Sequence, residues 1–412
     1  MKANLQYNRD MSKIRLLILL FTFFVVGTVA TLISLYARGY RFNSQKVNLS
    51  PNGLLVMKSS PDSAQILING EVKTATNATI PIPPGTYDVL VKKDGFKDWQ
   101  KRLVIQKEIV TEGTAHLFKS APSLTAVTFS SVTQTTPSTN FTKLAYIVPA
   151  STGNAETQGL WIMETINLPL GFARDPLRIT DGNLEGSTFL WSPTSREILL
   201  TTKTGSFLLE TGVFTPQSQR INVASQVEKI LADWNEEYQK LLIAQTRKLP
   251  DEMKDIMLRK ASSVVFSPDE DMVLYSASSS AEIPDNLIKQ LPGASTQKQE
   301  RNIKPGNTYI YDIKEDRNFL IDDHSEDLQI KGGYSDGLTR RLSWYPTSRH
   351  LVLSGTDQIM IMDYDGTNRQ NVFTGSYVTP NAFPTLSMDR LLILTNLGAT
   401  SSAPNLYSLG IK

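Results

Sequence analysis

Residues 191–200 read WSPTSREILL, residues 266–275 read FSPDEDMVLY, and residues 344–353 read WYPTSRHLVL. Each copy is an aromatic residue, one spacer, a proline, polar turn residues and an apolar run. Proline and short polar side chains bend the chain, and the apolar run that follows suits a buried strand. A second strand follows each copy, at 206–210, 308–313 and 358–363. Weaker copies are Pro137–Ile147 and Phe383–Leu394, followed by strands at Leu160–Glu164 and Asn405–Leu409. Sheet units of this kind cannot bury their faces alone. Set radially about an axis they form a β-propeller, which protects its edges by closure. Five units are traceable, at irregular spacing, so insertions interrupt the repeat. A Ser/Thr/Pro-rich junction at 119–140 holds one further strand, 124–129, placed to complete the last blade and close the ring. A six-bladed ring would need one blade without this signature.

The aromatic-Ser-Pro-Asp pattern, with the turn Asp363-Tyr364-Asp365-Gly366-Thr367-Asn368, resembles the propeller of the TolB-like family. The resemblance implies a propeller over 141–412, which residues 223–260 interrupt as a helical insertion read from their spacing. In that insertion Val227, Ile230, Leu231, Trp234, Tyr238, Leu241 and Leu242 recur at helical spacing. Pro250-Asp251-Glu252 opens a second helix, since proline and acids suit a first turn. Met253, Ile256, Met257 and Leu258 are its expected apolar face. A single apolar stripe is normally core, so the pair is expected to pack on the propeller rim; the alternative is a partner-docking arm. A second insertion, Ile283–Gly306, carries Pro284, Pro292, Gly293 and Pro305 and reads as a long loop over one face of the ring.

Ahead of the repeats lies one uncharged stretch, Leu16–Ala37, LLILLFTFFVVGTVATLISLYA. As a helix it would be about 33 Å long, which matches the hydrocarbon core of a bilayer. A basic tail, 1–15, carries Lys2, Arg9, Lys13 and Arg15; Arg38, Arg41 and Lys46 follow the span. The competing reading is a cleaved signal peptide. Thr28-Val29-Ala30 is a poor cleavage match, and apolar residues run on to Leu35 and Tyr36. The expected layout is a single-pass cell-membrane protein, N-terminus cytoplasmic and C-terminal domains extracytoplasmic. Long domains translocate largely regardless of charge.

Residues 38–52 form a polar juxtamembrane linker. After it, strands are expected at 54–58, 65–69, 86–92 and 101–106, with a hairpin at Asn69-Gly70 and turns at Pro83-Pro84-Gly85 and Asp94-Gly95. Tyr87, Val89 and Val91 alternate with Asp88, Leu90 and Lys92, as in a half-buried strand. Tyr87, Phe96 and Trp99 read as core packing. These residues resemble the PEGA domain over 53–118: Pro61-Asp62-Ser63-Ala64 in place of its namesake turn, Ile68-Asn69-Gly70, Pro84-Gly85-Thr86-Tyr87-Asp88-Val89, and Gly95-Phe96. The Gly-x-Thr-Pro segment common in that family is missing from Lys73–Ile80. The resemblance implies a small β-sandwich with no general catalytic role.

The 412 residues contain no cysteine, so disulfides, thiolate metal sites and cysteine nucleophiles are excluded. Net charge is +2, and no basic stripe with interleaved aromatics points to nucleic acid. His116, His324 and His350 lie far apart, without ligand spacing. Gly333-Tyr334-Ser335-Asp336-Gly337 matches a nucleophile elbow formally, but a strand follows where that motif needs a helix. Some propellers precede an α/β-hydrolase domain; the sequence stops at Lys412 directly after its last strand, so none is expected. The acidic run Asp322–Asp327 lacks the spacing and glycine of a calcium loop and reads as a solvated loop. Asp363–Gly366 reads as a hairpin turn rather than a metal site.

No catalytic, cofactor or metal residues are assigned, and no cofactor is expected. The expected function is a membrane-anchored extracytoplasmic binding or scaffold protein of a prokaryotic cell envelope, displaying a propeller for protein or glycan binding. Its partners would be the lipid bilayer, through the N-terminal helix, and an envelope protein or glycan. The alternative is an envelope hydrolase or lyase acting in the propeller channel. Acids, bases and nucleophiles converging at equivalent strand starts would favour the enzyme.

Overall fold

The computed structural model describes the backbone of all residues except 1, 38–39, 44–47, 153–154, 167–174, 290–292, 294, 331–338 and 400–401, and the side chains of those described except 2–15 and 41–50. Helix α1 (Lys2–Ala37) opens the chain. Among the described residues its segment Leu16–Ala37 is the one helix long and apolar enough to cross a membrane, with mean hydropathy 2.7 and no part buried. Thr22, Thr28 and Thr31 donate their hydroxyls to the carbonyls of Ile18, Phe24 and Gly27 at 2.8 Å. These three hydroxyls are thereby satisfied within the helix, a bonding pattern compatible with hydrocarbon surroundings.

The chain divides into two compact units. The first comprises Met1–Val91, Arg102–His116 and Pro292–Thr296. One of its sheets runs Ala78–Ile82, Gly53–Ser60, Val110–His116, with the middle strand antiparallel to the first and parallel to the last. A second runs Glu71–Ala75, Gln65–Ile68, Gly85–Lys92, Trp99–Ile105, and in the stretch read as a linker Tyr40–Asn43 pairs with Asn48–Pro51. Leu55, Met57, Ile66, Ile68, Val89, Val91, Leu103 and Ile105 are buried at alternating positions, giving each larger sheet one apolar face. Asn69 and Gly70 have φ of 51° and 84°, both positive as the two-residue hairpin demands. The four expected strands are present. Three more, 71–75, 78–82 and 110–116, carry no clear apolar alternation; EVKTA is exposed throughout. Trp99 is buried, whereas Tyr87 and Phe96 are only half-buried; the Tyr87 hydroxyl donates to the Pro83 carbonyl at 2.9 Å.

The second unit, Lys92–Lys101, Leu117–Leu291 and Gln297–Lys412, contains among the described residues five sheets of three or more strands, and a short pair, Ala281–Glu282 with Asn302–Ile303, at the insertion read as a long loop. Blade 1 is Thr133–Pro137, Lys143–Val148, Gly159–Glu164, Leu177–Thr180; blade 2 is Thr188–Trp191, Glu197–Thr202, Gly205–Glu210. Blade 3 is Ala261–Phe266, Met272–Ala277, Thr308–Asp312, Arg317–Asp322. Blade 4 is Leu328–Gln329, Arg340–Trp344, His350–Gly355, Gln358–Asp363, Gln370–Thr374. Blade 5 is Ala382–Pro384, Arg390–Thr395 and Asn405–Gly410, completed by Ser123–Ala126 antiparallel to Asn405–Gly410. The closing strand is therefore present, three residues shorter at its end than expected.

The repeat is a turn written five times. The N–H of Phe141, Ser195, Glu270, Ser348 and Met388 donates to the carbonyl three residues earlier, of Ser138, Ser192, Ser267, Tyr345 and Thr385, at 2.8–3.1 Å. Each donor residue is left-handed, with φ between 56° and 60°. Where serine stands first, its Oγ also accepts the N–H that opens the next strand: Lys143, Glu197 and Met272, at 3.0, 3.1 and 3.0 Å. Polar Ser-x-x-Ser or Ser-Pro-Asp-Glu wording is thus a closing device for the hairpin. In blade 4 Tyr345 takes the serine's place and packs edge-on against Phe118 and His350.

Apolar cores lie between neighbouring sheets. Ile147, Leu160 and Ile162 of blade 1 meet Phe189, Trp191 and Leu200 of blade 2. Leu274 and Phe319 of blade 3 meet Leu342 and Trp344 of blade 4. Blades 4 and 5 share Val352, Ile361, Leu391 and Ile393, and blades 5 and 1 share Phe383, Leu392, Leu144 and Tyr146. The remaining face of blade 3 is covered by the helical insertion. Leu242 of α2 (Val227–Gln245), Met253 of α3 (Asp251–Asp255), and Ile256 and Met257 of the following π-turn pack on Phe266, Tyr275 and Tyr311. That core takes no residue from blade 2. Three residues of the expected helical stripe face outward instead: Leu231, Leu241 and Leu258, at 38%, 46% and 45% exposure. Tyr238 and Leu242, four apart, set the buried line of α2 and leave Leu241 about 100° off it. The extra residue per turn in Ile256–Lys260 rotates Leu258 to solvent.

Candidate functional site

The first long strands of blades 1 and 2, 3 and 4, 4 and 5, and 5 and 1 lie next to one another. The indole N–H of Trp191 donates to the Thr136 carbonyl, joining blades 2 and 1, and that of Trp344 to the Val265 carbonyl, joining blades 4 and 3, both at 3.1 Å. Thr135 Oγ1 donates to Asn381 Oδ1 at 2.9 Å, joining blades 1 and 5. Ser354 Oγ donates to the Ala382 carbonyl at 3.3 Å, joining blades 4 and 5. Mutual adjacency of first strands places them innermost. Their starts lie at the strand ends opposite the Trp191 and Trp344 clasps.

Those starts are polar. Thr133 and Gln134 open blade 1, Ser187 and Thr188 blade 2, Ser262 and Ser263 blade 3, Arg340 and Arg341 blade 4, and Asn381 blade 5. Thr188 and Ser262 are exposed. These side chains offer hydroxyls, amides and guanidinium groups, the donor and acceptor set of a recognition surface.

The two arginines of blade 4 have opposite surroundings. Arg340 points to one side of its strand, where Asp322 Oδ2 and Asp327 Oδ1 lie 2.6 and 2.7 Å from its nitrogens and the His324 carbonyl accepts a further bond. Those contacts hold its pKa above the usual guanidinium value. Arg341, one residue on, points to the other side. It is 5% exposed. Its Nη2 donates to Gln329 Oε1 at 2.9 Å, and its guanidinium carbon lies 5.0 Å from the Phe383 ring centroid. It has no ion pair among the described residues, and its Nε is buried without a hydrogen bond. Burial pushes its pKa down to about 10. Ser343, on the same side two residues along, also has a buried hydroxyl without a partner.

Antiparallel pairing puts a second polar cluster at the opposite end of blade 4, where the strand His350–Gly355 starts and Gln358–Asp363 ends. The segment Lys92–Lys101 meets the turn 363–368 there. Lys101 Nζ lies 2.5 Å from Asp365 Oδ2 and 3.3 Å from Asp363 Oδ2, and Trp99 Nε1 donates to Asp363 Oδ2 at 3.3 Å. Asn368 Nδ2 donates to the same oxygen at 2.9 Å, and His350 Nε2 lies 3.5 Å from Asp363 Oδ1. Burial, reinforced by the neighbouring charge of Asp365, pushes the Asp363 carboxyl upward. Burial opposes the charge of Lys101, but Asp363 and Asp365 outweigh it and raise its pKa. Gln100 N–H donates to Asn368 Oδ1 at 2.8 Å and Gln370 Nε2 to the Asp98 carbonyl at 2.8 Å. With Gly366 at φ 78° and its N–H on the Asp363 carbonyl, Asp363–Gly366 is the hairpin turn expected, and its acids bind a lysine.

The three histidines are dispersed. His116 ends a strand of the first unit, His324 is exposed beside Asp323, and His350 is buried with Nδ1 2.8 Å from Thr347 Oγ1. Among the described residues no group of three or more His, Asp or Glu is placed to hold a metal. Asp322 and Asp327, read as parts of a solvated loop, are instead held by Arg340. Ser335 and its flanking glycines lie outside the described residues. Sequence reasoning passed over Arg341. The available signal was an arginine in register with Ser343 and Tyr345, on a strand whose other face carries Leu342 and Trp344.

Residues 52–121 match the PEGA domain, in agreement with the resemblance read from the turns and strands. No curated protein matches the chain. Among solved structures it is similar to TolB from Acinetobacter baumannii, at 8% identity and TM-score 0.22, over 79% of this chain and 59% of that one. It therefore spans less than two thirds of that protein's length. A putative TolB from Agrobacterium tumefaciens matches at 13% identity and TM-score 0.22, covering 71% of this chain and 84% of its own. A gluconolactonase from Xanthomonas campestris matches at 13% identity and TM-score 0.24, covering 71% and 90%.

Proposed function

We propose that this chain is a membrane-anchored binding protein of a prokaryotic cell envelope, with its two β-units outside the membrane and the inner-strand end of the propeller as the binding surface for an envelope protein or glycan. The observation that carries the reading is that Gln134, Thr188, Ser262, Arg341 and Asn381, all polar, stand at the starts of the first long strands of the five blades. Hydroxyls, amides and guanidinium groups recognise polar ligands through directed hydrogen bonds. General acid–base chemistry would instead need a carboxylate or imidazole held near its working pH, and two acids beside this end of blade 4, Asp322 and Asp327, are engaged by Arg340. The fully exposed apolar segment Leu16–Ala37 supplies the anchor.

Photo-crosslinking residues introduced at Thr188 and Ser262 of the full chain, in living cells, test the surface. The expected result is a discrete adduct from both positions and none from Lys73, on an exposed strand of the first unit. Adducts from Lys73 alone would contradict the reading.

A further inference from the structure

We propose that Arg341, with Ser343 beside it, forms an anion site at the junction of blades 4 and 5 that takes a carboxylate group of the ligand; this rests on the binding reading above. A guanidinium withdrawn from water without an anion is costly, and proteins normally pair it. The adjacent Arg340 has two carboxylates. Arg341 has a neutral amide on Nη2 and an aromatic face, which offset only part of the loss. Its Nε and the Ser343 Oγ are buried without partners on the same side of one strand. Two neighbouring unused donors beside a cation with no carboxylate among the described residues ask for an acceptor that carries negative charge. A planar carboxylate suits the guanidinium fork better than chloride.

The surroundings tie this position to the inner-strand end. Arg341 pairs across the strand with Ser354, whose Oγ donates to the Ala382 carbonyl. The next residue back, Asn381, accepts from Thr135 of blade 1. One run of contacts therefore links Arg341 to three blades, and a carboxylate bound there would lie just beneath the surface proposed for recognition.

The experiment uses the full chain in detergent micelles at constant ionic strength. Thermal unfolding is followed against N-acetylglycine, a chain-terminus carboxylate, glucuronate, a sugar acid, and sodium chloride. The expected result is a saturable rise in Tm with one or both carboxylates and none with chloride; the tighter binder identifies the source. Arg341→Met should weaken that binding by about tenfold or more, in line with a lost charged hydrogen bond. Arg341→Met also removes a side chain packed at the blade junction, so Ser343→Ala provides a milder second variant, expected to weaken binding by a few-fold. Equal carboxylate responses in wild type and both variants, or no saturable response in wild type, would overturn the proposal. Crosslinking from Thr188 and Ser262 that persists in such a case would leave the binding surface standing and remove only the carboxylate.

Discussion

The indole N–H of Trp344 donates to the backbone carbonyl of Val265 at 3.1 Å, from the end of one inner strand to the inner strand of the preceding blade. Trp191 makes the same bond to Thr136 two blades earlier. The repeated aromatic is therefore a blade-to-blade clasp: a buried ring packed between sheets, with its one polar atom satisfied. Trp344→Ala should cost roughly 3–5 kcal/mol in thermal or denaturant unfolding. Trp344→Phe keeps most of the packing but orphans the Val265 carbonyl, and should cost about 1–2 kcal/mol. An unchanged Tm for Trp344→Ala would mean that the ring does not hold the blades together.

The hairpin serines make a smaller contribution. Ser267 Oγ donates to Asp269 Oδ1 at 2.6 Å and accepts the Met272 N–H at 3.0 Å. Ser267→Ala should cost about 1 kcal/mol, measured as a shift in the denaturant midpoint at constant slope.

Lys101 joins Asp363 and Asp365 in surroundings where its side chain is 11% exposed. Replacing it by Met leaves two buried acids facing each other, and should cost about 3–5 kcal/mol. Lys101→Met combined with Asp365→Asn should cost less than the sum of the two single changes, because the second removes the charge left unpaired by the first. Additive losses would show that the three groups are not coupled.

Asp312 gives a pH dependence. Its carboxyl accepts the N–H groups of Lys314 and Glu315, but burial is the larger effect and raises its pKa from 3.8 to about 6. The folded state holds the proton more tightly than the unfolded chain, so this group's contribution to stability falls as pH rises from about 4 to about 6. Asp312→Asn retains an acceptor oxygen and never ionises. It should stabilise the protein at pH 7 by about 1–3 kcal/mol, and the gain should vanish by about pH 4. A gain independent of pH would trace the effect to something other than the charge.

Much of the fold was legible because it is local chemistry repeated. Trp191, Phe266 and Trp344 end inner strands, and the turns that follow them close alike. Blades 1 and 5 were faint because Pro137 and Pro384 stand where the aromatic belongs, although Ser138 and Thr385 keep the turn. The exposed strand Glu71–Ala75 has no apolar period to read. The functional surface was less legible. Arg340 and Arg341 are identical as letters, and only the strand's alternation separates one that meets two carboxylates from one that meets none among the described residues. The partners of Lys101 are more than 260 positions away, a juxtaposition that no local pattern encodes.

The proposal of an anchored protein facing outward is tested most directly by protease added to intact cells. Termini tagged on the full chain would report which parts are reached. The expected result is digestion of the C-terminal body with the N-terminal tag protected inside. Full protection of the body, with cleavage only after lysis, would contradict the orientation and with it the envelope-facing binding role.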